Sequence, residues 1–233
     1  MRFTWEEQTV RWFMNASAYT GFHKALAQLI LPHLEQGDTL CDLGCGLGRL
    51  DLELAPHVSQ LTAVDLSENA IDVLRRNAEA AGLKNLRFRQ DDASALTETF
   101  DVALMSFFGR SNMLELLKLC SRRLIRVVGA ENKSGLYPEK YRCDERDTVA
   151  IVQNELNARG VRYRLELNSL EFGQPLASRQ DAELYVLQNA PKAGADEISD
   201  FLNENLTSTG RDDFPFYLPN KKAFGIFVLD KED

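Results

Sequence analysis

Cysteine, long apolar runs and positive charge are all scarce in this sequence, and each shortage excludes a class of protein. The four cysteines do not suggest a secreted disulfide framework, because Cys41 and Cys45 lie in one glycine-rich segment. No apolar run reaches the roughly 18 residues that a membrane-spanning helix needs, and no basic-then-apolar leader is present. We therefore expect a cytoplasmic protein that does not interact with a membrane.

The balance of charge argues against nucleic acid as a partner. Lys and Arg total 27 against 35 Asp and Glu, which gives a net charge of −8. Proteins that bind nucleic acids gain much of their affinity from clustered Lys and Arg on phosphates. The local basic cluster of Arg122, Arg123 and Arg126 is better interpreted as a helix end followed by a strand. The sequence does not indicate an oligomeric state.

The spacing of the cysteines does not indicate a metal site either. Cys41 is expected to point into the core from a strand, and no C-x-x-C pair follows Cys45. The histidines, His23, His33 and His57, are scattered along the chain. We therefore predict that the protein holds no metal.

The most informative segment is CDLGCGLGRL, residues 41–50. Residues 40–43 are short and apolar and follow a Gly-Asp turn, which predicts a buried strand. The glycine loop (residues 44–48) comes next, with glycine at every second position, and a helix is predicted from Arg49. Strand, glycine loop and helix in this order form a binding turn in which the helix N-terminus faces the ligand.

Two details decide which ligand suits this turn. Asp42 stands two residues before the first glycine, where dinucleotide-binding strands carry an apolar residue. The G-x-G-x-G spacing also puts Arg49 where the pyrophosphate fingerprint has its last glycine. The pattern therefore favours a ligand that carries an α-amino acid over one that carries a pyrophosphate.

An acid followed by G-x-G-x-G resembles the first motif of the class I S-adenosylmethionine-dependent methyltransferases. Three later segments extend the resemblance over residues 38–130 in the same order. It implies S-adenosyl-L-methionine as the cofactor and methyl transfer as the activity. The cofactor-binding residues that we predict are Asp42, Gly44, Cys45, Gly46, Gly48, Asp65, Leu66, Asp92, Ala93 and Ser106.

Acids follow the second and third predicted strands. Asp65 ends the strand over residues 61–64, about 20 residues past the glycine loop, where nucleotide-binding folds place an acid on ribose hydroxyls. The alternative role for Asp65 is to cap the next helix. The resemblance implies that Asp92 contacts the adenine amino group and that the Ala93 N–H contacts a ring nitrogen. Asp91 is the alternative to Asp92, and either acid is otherwise a solvated loop residue.

The end of the fourth predicted strand, residues 102–105, bears on the acceptor. Enzymes that methylate base amines carry a Pro-Pro pair here, and cytosine-ring enzymes carry a nucleophilic cysteine after a proline. This chain has Ser106, Phe107, Phe108 and Gly109 instead. The segment therefore agrees with an acceptor other than a nucleic-acid base. Phe107 and Phe108 either line the cofactor pocket or pack in the core.

The predicted fold class is α/β, with a doubly wound, seven-stranded, mostly parallel sheet whose last strand, 223–229, is antiparallel. We expect one domain over residues 1–233. Residues 1–36 form an N-terminal helical cap, called the cap below, and residues 171–206 form a helical insertion before the last strand. The helices of this insertion are predicted at 178–188 and 196–206.

The predicted function is methyl transfer to a small-molecule acceptor, with the methylated atom undetermined. Transfer from a sulfonium needs mainly proximity and orientation, so no catalytic set is expected to stand out. The acceptor-site candidates are Tyr19, Arg110, Glu131 and Tyr141; Arg110 suits a carboxylate and Glu131 an amine. The alternatives are a protein or peptide methyltransferase, a non-catalytic binding module and a nicotinamide-dependent oxidoreductase, which Asp42 and Arg49 disfavour.

Overall fold

A computed structural model describes residues 5–108, 113–141 and 146–231 of the chain. Most of these residues lie in eight α-helices and ten strands. The helices are α1 (Glu7–Thr20), α2 (Phe22–Ile30), α3 (Arg49–Leu54), α4 (Glu68–Ala80), α5 (Met113–Leu116), α6 (Val149–Ala158), α7 (Arg179–Asn189) and α8 (Ala195–Asn205). The strands are β1 (Thr39–Leu43), β2 (Gln60–Asp65), β3 (Leu86–Gln90), β4 (Phe100–Ser106), β5 (Cys120–Gly129), β6 (Arg164–Glu171), β7 (Gln174–Leu176), β8 (Thr207–Ser208), β9 (Phe216–Leu218) and β10 (Lys221–Asp230).

Seven strands form one sheet in the order β3-β2-β1-β4-β5-β10-β6. Strands β1 to β5 run parallel, and β10 is antiparallel to both β5 and β6. This arrangement confirms the predicted α/β class, the strand number and the antiparallel last strand. Each predicted element of the sheet is present, with ends that differ from the prediction by a few residues.

The sheet is buried on both faces because helices cover each of them. On one face, Leu40 of β1 packs in a cluster with Leu26 and Ile30 of α2. On the other face, Leu43 of β1 packs in a cluster with Leu156 of α6. Parallel strands covered on both sides carry near-continuous apolar runs, as the sequence of this sheet does.

The glycine loop lies where the strand order changes direction. Strand β1 pairs with β2 on one side and with β4 on the other, so the connections leaving β1 and β3 go opposite ways across the sheet. Open α/β sheets bind their ligands in the crevice at the carboxyl ends of the strands at such a point. The predicted binding turn therefore occupies the position that this fold uses for ligands.

Local signals set the helix ends. Ser67 precedes α4 and is its N-cap, because its hydroxyl accepts a hydrogen bond from the Ala70 N–H. Gly21 separates α1 from α2 with φ of 65°, a left-handed conformation that glycine adopts at little cost. Within the described parts of the chain, none of the helices combines the length and the apolar character needed to cross a bilayer.

The segment between β6 and β10 (172–220) is more than the helical insertion that the sequence predicts. The two helices are present as α7 and α8, but β7, β9 and β8 form a second, antiparallel sheet of three strands beside them. Strands of two or three residues carry no readable alternation, so periodicity does not reveal them. The boundaries of the insertion and the single-domain organisation stay predictions.

The three arginines of the basic cluster form ion pairs with acids of the same chain. Arg122 binds Asp38, and the Arg123 Nε lies 2.6 Å from Asp230. Arg126 is 0% exposed and pairs with Asp147. All three arginines belong to β5. The prediction that a strand includes this basic cluster is therefore confirmed.

Candidate cofactor site

The glycine loop is held against the end of β2 by its own backbone. The Gly44 and Cys45 N–H groups both donate to the Val64 carbonyl, at 2.8 and 3.0 Å. The three glycines have φ between 55° and 77°, values that side chains with a Cβ rarely adopt. The sequence thus needs glycine at these positions to fold the chain back over β2 before α3 begins.

Asp65 links the glycine loop to α4. Its Oδ2 accepts from the Gly46 N–H at 2.9 Å, and its Oδ1 accepts from the Ser67 N–H at 2.9 Å. The second contact is the capping role that the sequence left open for this acid. A carboxylate has about four lone-pair sites, so two remain for a ligand such as a ribose diol. Its predicted ribose contact therefore stays a prediction that the geometry permits.

Two buried acids lie beneath the glycine loop. Asp42 is 2% exposed and Asp51, on α3, is 0% exposed. Among the described residues, no N–H or O–H donor reaches either oxygen of Asp51 or the Oδ1 of Asp42. Burial, followed by the neighbouring Asp51 charge, raises the pKa of the Asp42 carboxyl well above its usual value. Burial likewise raises the pKa of the Asp51 carboxyl, to about 7.

The two acids that follow β3, Asp91 and Asp92, have different partners. Asp91 pairs with Arg89 at 2.8 Å, while the Asp92 Oδ1 accepts from the Ser94 N–H at 2.9 Å and caps a short turn. The Asp91 N–H donates to the Asp65 carbonyl at 3.1 Å. The structure therefore brings the predicted residues of β2 and β3 to one edge, beside Ser106 at the end of β4. Their assigned contacts with ribose and adenine stay predictions.

Aromatic side chains cover the glycine loop. The Phe108 ring lies against Gly44, where a Cβ would overlap it. A Cβ on Gly46 would come within 3.2 Å of the Trp5 ring, which Phe13 of α1 contacts edge-on with centroids 5.2 Å apart. The cap and the segment after β4 thus meet over the predicted cofactor site. Phe108 lines this site as well as packing against the core cluster behind it.

The acceptor-site candidates do not lie in one cluster. Tyr19 stacks on Tyr217 with ring centroids 5.0 Å apart. Glu131 pairs with Lys133 on the surface, and the Tyr141 hydroxyl donates to Glu197 of α8. Arg110 lies outside the described residues. The acceptor roles of these four residues stay predictions.

Sequence reasoning missed a cluster at the same edge of the sheet, here called the lysine cage: Phe22, Phe107 and Phe172 around Lys222. The Lys222 Nζ lies 3.4 Å from the centroid of the Phe107 ring and 5.5 Å from those of Phe22 and Phe172. One signal was available. The last strand is antiparallel, so the two lysines that begin it lie at the edge where the parallel strands end.

A glycine loop at the switch point, with acids at the ends of β2 and β3, is the arrangement by which α/β proteins bind a nucleoside-containing cofactor. Residues 40–126 match the family model described as a methyltransferase domain. By this match residues 40–126 carry a methyltransferase domain, and the seven-stranded fold around them is the one that class I S-adenosylmethionine-dependent methyltransferases share. The resemblance over residues 38–130 is confirmed.

Known proteins similar to this chain differ in what they methylate. A 23S rRNA uracil methyltransferase of Vibrio vulnificus is 33% identical over 92 residues, which are 36% of this chain and 24% of that protein. A ubiquinone biosynthesis O-methyltransferase of Coxiella burnetii is 39% identical over 80 residues, 31% of this chain and 34% of that protein. The chain thus spans about a quarter to a third of the length of these relatives.

A solved structure extends the similarity to nearly the whole chain. Magnesium protoporphyrin IX methyltransferase of Synechocystis, crystallised with S-adenosylhomocysteine, superposes with a TM-score of 0.52 at 15% identity. The superposition covers 97% of this chain and 89% of that protein. At this identity the likeness establishes the fold.

Proposed function

We propose that this protein transfers a methyl group from S-adenosylmethionine to a small-molecule acceptor. The observation that carries the proposal is the glycine loop, preceded by Asp42, folded over Val64 and held by Asp65. It lies within the segment that matches the methyltransferase family model. The ligand of the Synechocystis protein supports the choice of cofactor.

The chemistry asks little of the protein beyond orientation. S-adenosylmethionine, when bound, supplies a methyl group attached to a positively charged sulfonium sulfur. Transfer of the methyl group leaves this sulfur as a neutral thioether. The chain's contribution is to hold the two molecules in line, which is worth several kcal/mol of the barrier, and to keep water away. Asp65 fixes the loop, and Trp5 and Phe108 cover it. Such a displacement does not require a triad of acidic and basic side chains.

A small-molecule acceptor is favoured over a nucleic acid by the use of the basic residues. The net charge is −8, and Arg122, Arg123 and Arg126 are engaged by acids of the same chain. One of the relatives named above is an rRNA methyltransferase. The preference for a small-molecule acceptor therefore rests on the charge of this chain and not on sequence similarity. A protein or peptide acceptor would use the segment between β6 and β10 as its docking surface, and a non-catalytic binding module would keep the cofactor site alone.

Ligand-induced thermal stabilisation tests the proposal directly. S-adenosylmethionine and S-adenosylhomocysteine should raise the melting temperature, because a ligand that binds only the folded state stabilises it by mass action. NAD and NADP serve as the matched controls and should leave it unchanged. Equal stabilisation by either nicotinamide cofactor would overturn the proposal. Stabilisation without methyl transfer to any acceptor offered would favour the binding module.

Replacing Asp65 should weaken cofactor binding. The Asp65→Ala variant loses charge-assisted hydrogen bonds to the loop and to the predicted ribose site, a loss of about 1.5–3 kcal/mol or tenfold and more in affinity. Calorimetric titration with S-adenosylhomocysteine measures it. Asp72→Ala is the control, because this exposed acid of α4 pairs only with Arg75 among the contacts described. Wild-type affinity in Asp65→Ala would remove this acid from the site.

A further inference from the structure

The lysine cage combines a positive charge with flat apolar walls at the ligand edge of the sheet. Phe22 and Phe172 are in contact, with ring centroids 4.5 Å apart, and Phe22 also contacts Phe107. The Lys222 ammonium lies within cation–π distance of all three rings. Lys222 is held there by its strand, because Phe224, two residues on, faces the same side and packs with Phe22.

The cage is directly connected to the glycine loop. Phe107 and Phe108 are consecutive, and they point to different neighbours: Phe108 lies against Gly44, and Phe107 lies beneath the Lys222 ammonium. Phe107 has φ of 51°, a left-handed conformation that is strained for a residue with a Cβ. This backbone conformation separates the two consecutive rings: Phe108 faces the cofactor side, and Phe107 faces the cage.

A second polar group borders the cage. His23 contacts the rings of both Phe22 and Phe172, at 5.1 and 5.6 Å between centroids. Arg49, the first residue of α3, donates to the Ser17 hydroxyl at 3.2 Å, and that hydroxyl lies 2.7 Å from the His23 Nδ1. Burial, and then the charges of Lys222 and Arg49, lower the pKa of His23 to about 3. The imidazole is therefore neutral, and we assign its proton to Nε2, since the hydroxyl hydrogen is available to Nδ1.

We propose that the lysine cage is the acceptor site and that it selects flat aromatic acceptors bearing an oxyanion, such as an aromatic carboxylate or phenolate. The inference rests on the proposed function. Phe107 and Phe172 are half-buried and supply the apolar surface for a planar body, while Phe22 supports them from the core. The Lys222 ammonium supplies a partner for the negative oxygen. A cationic acceptor is disfavoured, because the cage already contains a cation and the field of Arg49 has the same sign. None of the four cage residues is among the predicted cofactor-binding residues.

Calorimetric titration of the chain saturated with S-adenosylhomocysteine tests the proposal. The probes are three acids, 4-hydroxybenzoate, trans-cinnamate and 2-naphthoate, their three primary amides, and benzylamine. At least one acid should bind about tenfold or more tightly than its own amide, the loss expected for a charge-assisted contact. Lys222→Met keeps the unbranched stem on the rings and removes the charge, so it should abolish this preference. Lys222→Arg should keep it.

The matched control is Lys221→Met, because Lys221 is the exposed neighbour on the same strand and points to the other face. It should retain the preference for the acid. Binding of S-adenosylhomocysteine should be the same in all variants. The proposal is overturned if no acid is preferred to its amide, if the preference survives in Lys222→Met, or if benzylamine binds best. Failure of the wild-type chain to bind S-adenosylhomocysteine would instead overturn the proposed function, and this inference with it.

Discussion

The Gly48→Ala variant should lose about 2–5 kcal/mol of unfolding free energy. The left-handed backbone costs an alanine about 1–2 kcal/mol, and overpacking of a buried site adds about 1–3 kcal/mol. Both terms apply because Gly48 has φ of 67° and its Cβ would overlap the side chain of Leu74, which is 0% exposed. Urea unfolding, read at the midpoint with an unchanged slope, measures the loss.

Gly82 provides the control for this experiment. It has φ of 68°, almost the same as Gly48, and no atom lies within 4 Å of the position that its Cβ would take. Gly82→Ala should therefore lose only the backbone contribution of about 1–2 kcal/mol. Equal losses in the two variants would mean that the contact between the glycine loop and α4 contributes nothing. Gly48→Ala should also weaken S-adenosylhomocysteine binding, which Gly82→Ala should not.

The Asp147→Asn variant should lose about 3–5 kcal/mol, the cost of leaving one partner of a buried ion pair without the other. The Arg126 side chain is 1% exposed, against 16% for Asp147. Two further nitrogens of Arg126 have no hydrogen-bond partner among the described residues. Removal of the Asp147 charge therefore leaves a cation inside the sheet with no compensating anion among the residues that the structure describes. Denaturant unfolding at neutral pH gives the value.

Two comparisons distinguish this effect from the loss of any acid. The Arg211–Asp213 pair is exposed on both sides, with 55% and 53% of the side chains accessible, so Asp213→Asn should cost less than about 1 kcal/mol. The double variant Arg126→Met, Asp147→Leu removes both charges and should recover most of the stability. A small loss in Asp147→Asn, or a double variant no better than the single, would show that the pair does not hold β5.

The sheet and the glycine loop could be predicted because their signals are local. Apolar runs bounded by turns marked the strands, and the spacing of Gly44, Gly46 and Gly48 marked the loop. The acid at the end of β2 followed from the geometry of parallel strands. The ends of neighbouring strands meet at one edge, which is why Asp65 came close to Gly46. Each of these inferences needed only residues close in sequence and the known handedness of the crossover.

The lysine cage could not be predicted in the same way, because its members come from four distant parts of the chain. Phe22, Phe107, Phe172 and Lys222 carry no common spacing, and apolar rings at the ends of strands and helices are ordinary core residues. The left-handed backbone of Phe107 has no signal in the sequence, and its ring contacts Phe22 and Phe224, which are distant in the chain. The small sheet of β7, β8 and β9 was missed because its strands are too short to show a period.

Asp181 connects α7 to α1, the helix that follows the cover over the glycine loop. This one carboxylate of α7 accepts from Arg11 and from the Trp12 indole, both on α1, and from the Ala177 N–H. The same helix follows Trp5, which covers Gly46. The cap is therefore not free to move alone. A displacement of α1 would also break its hydrogen bonds with α7, and a displacement of α7 would also move the residues that cover the glycine loop. A ligand that displaces the Trp5 cover is therefore expected to change the free energy of the contact between α1 and α7 as well.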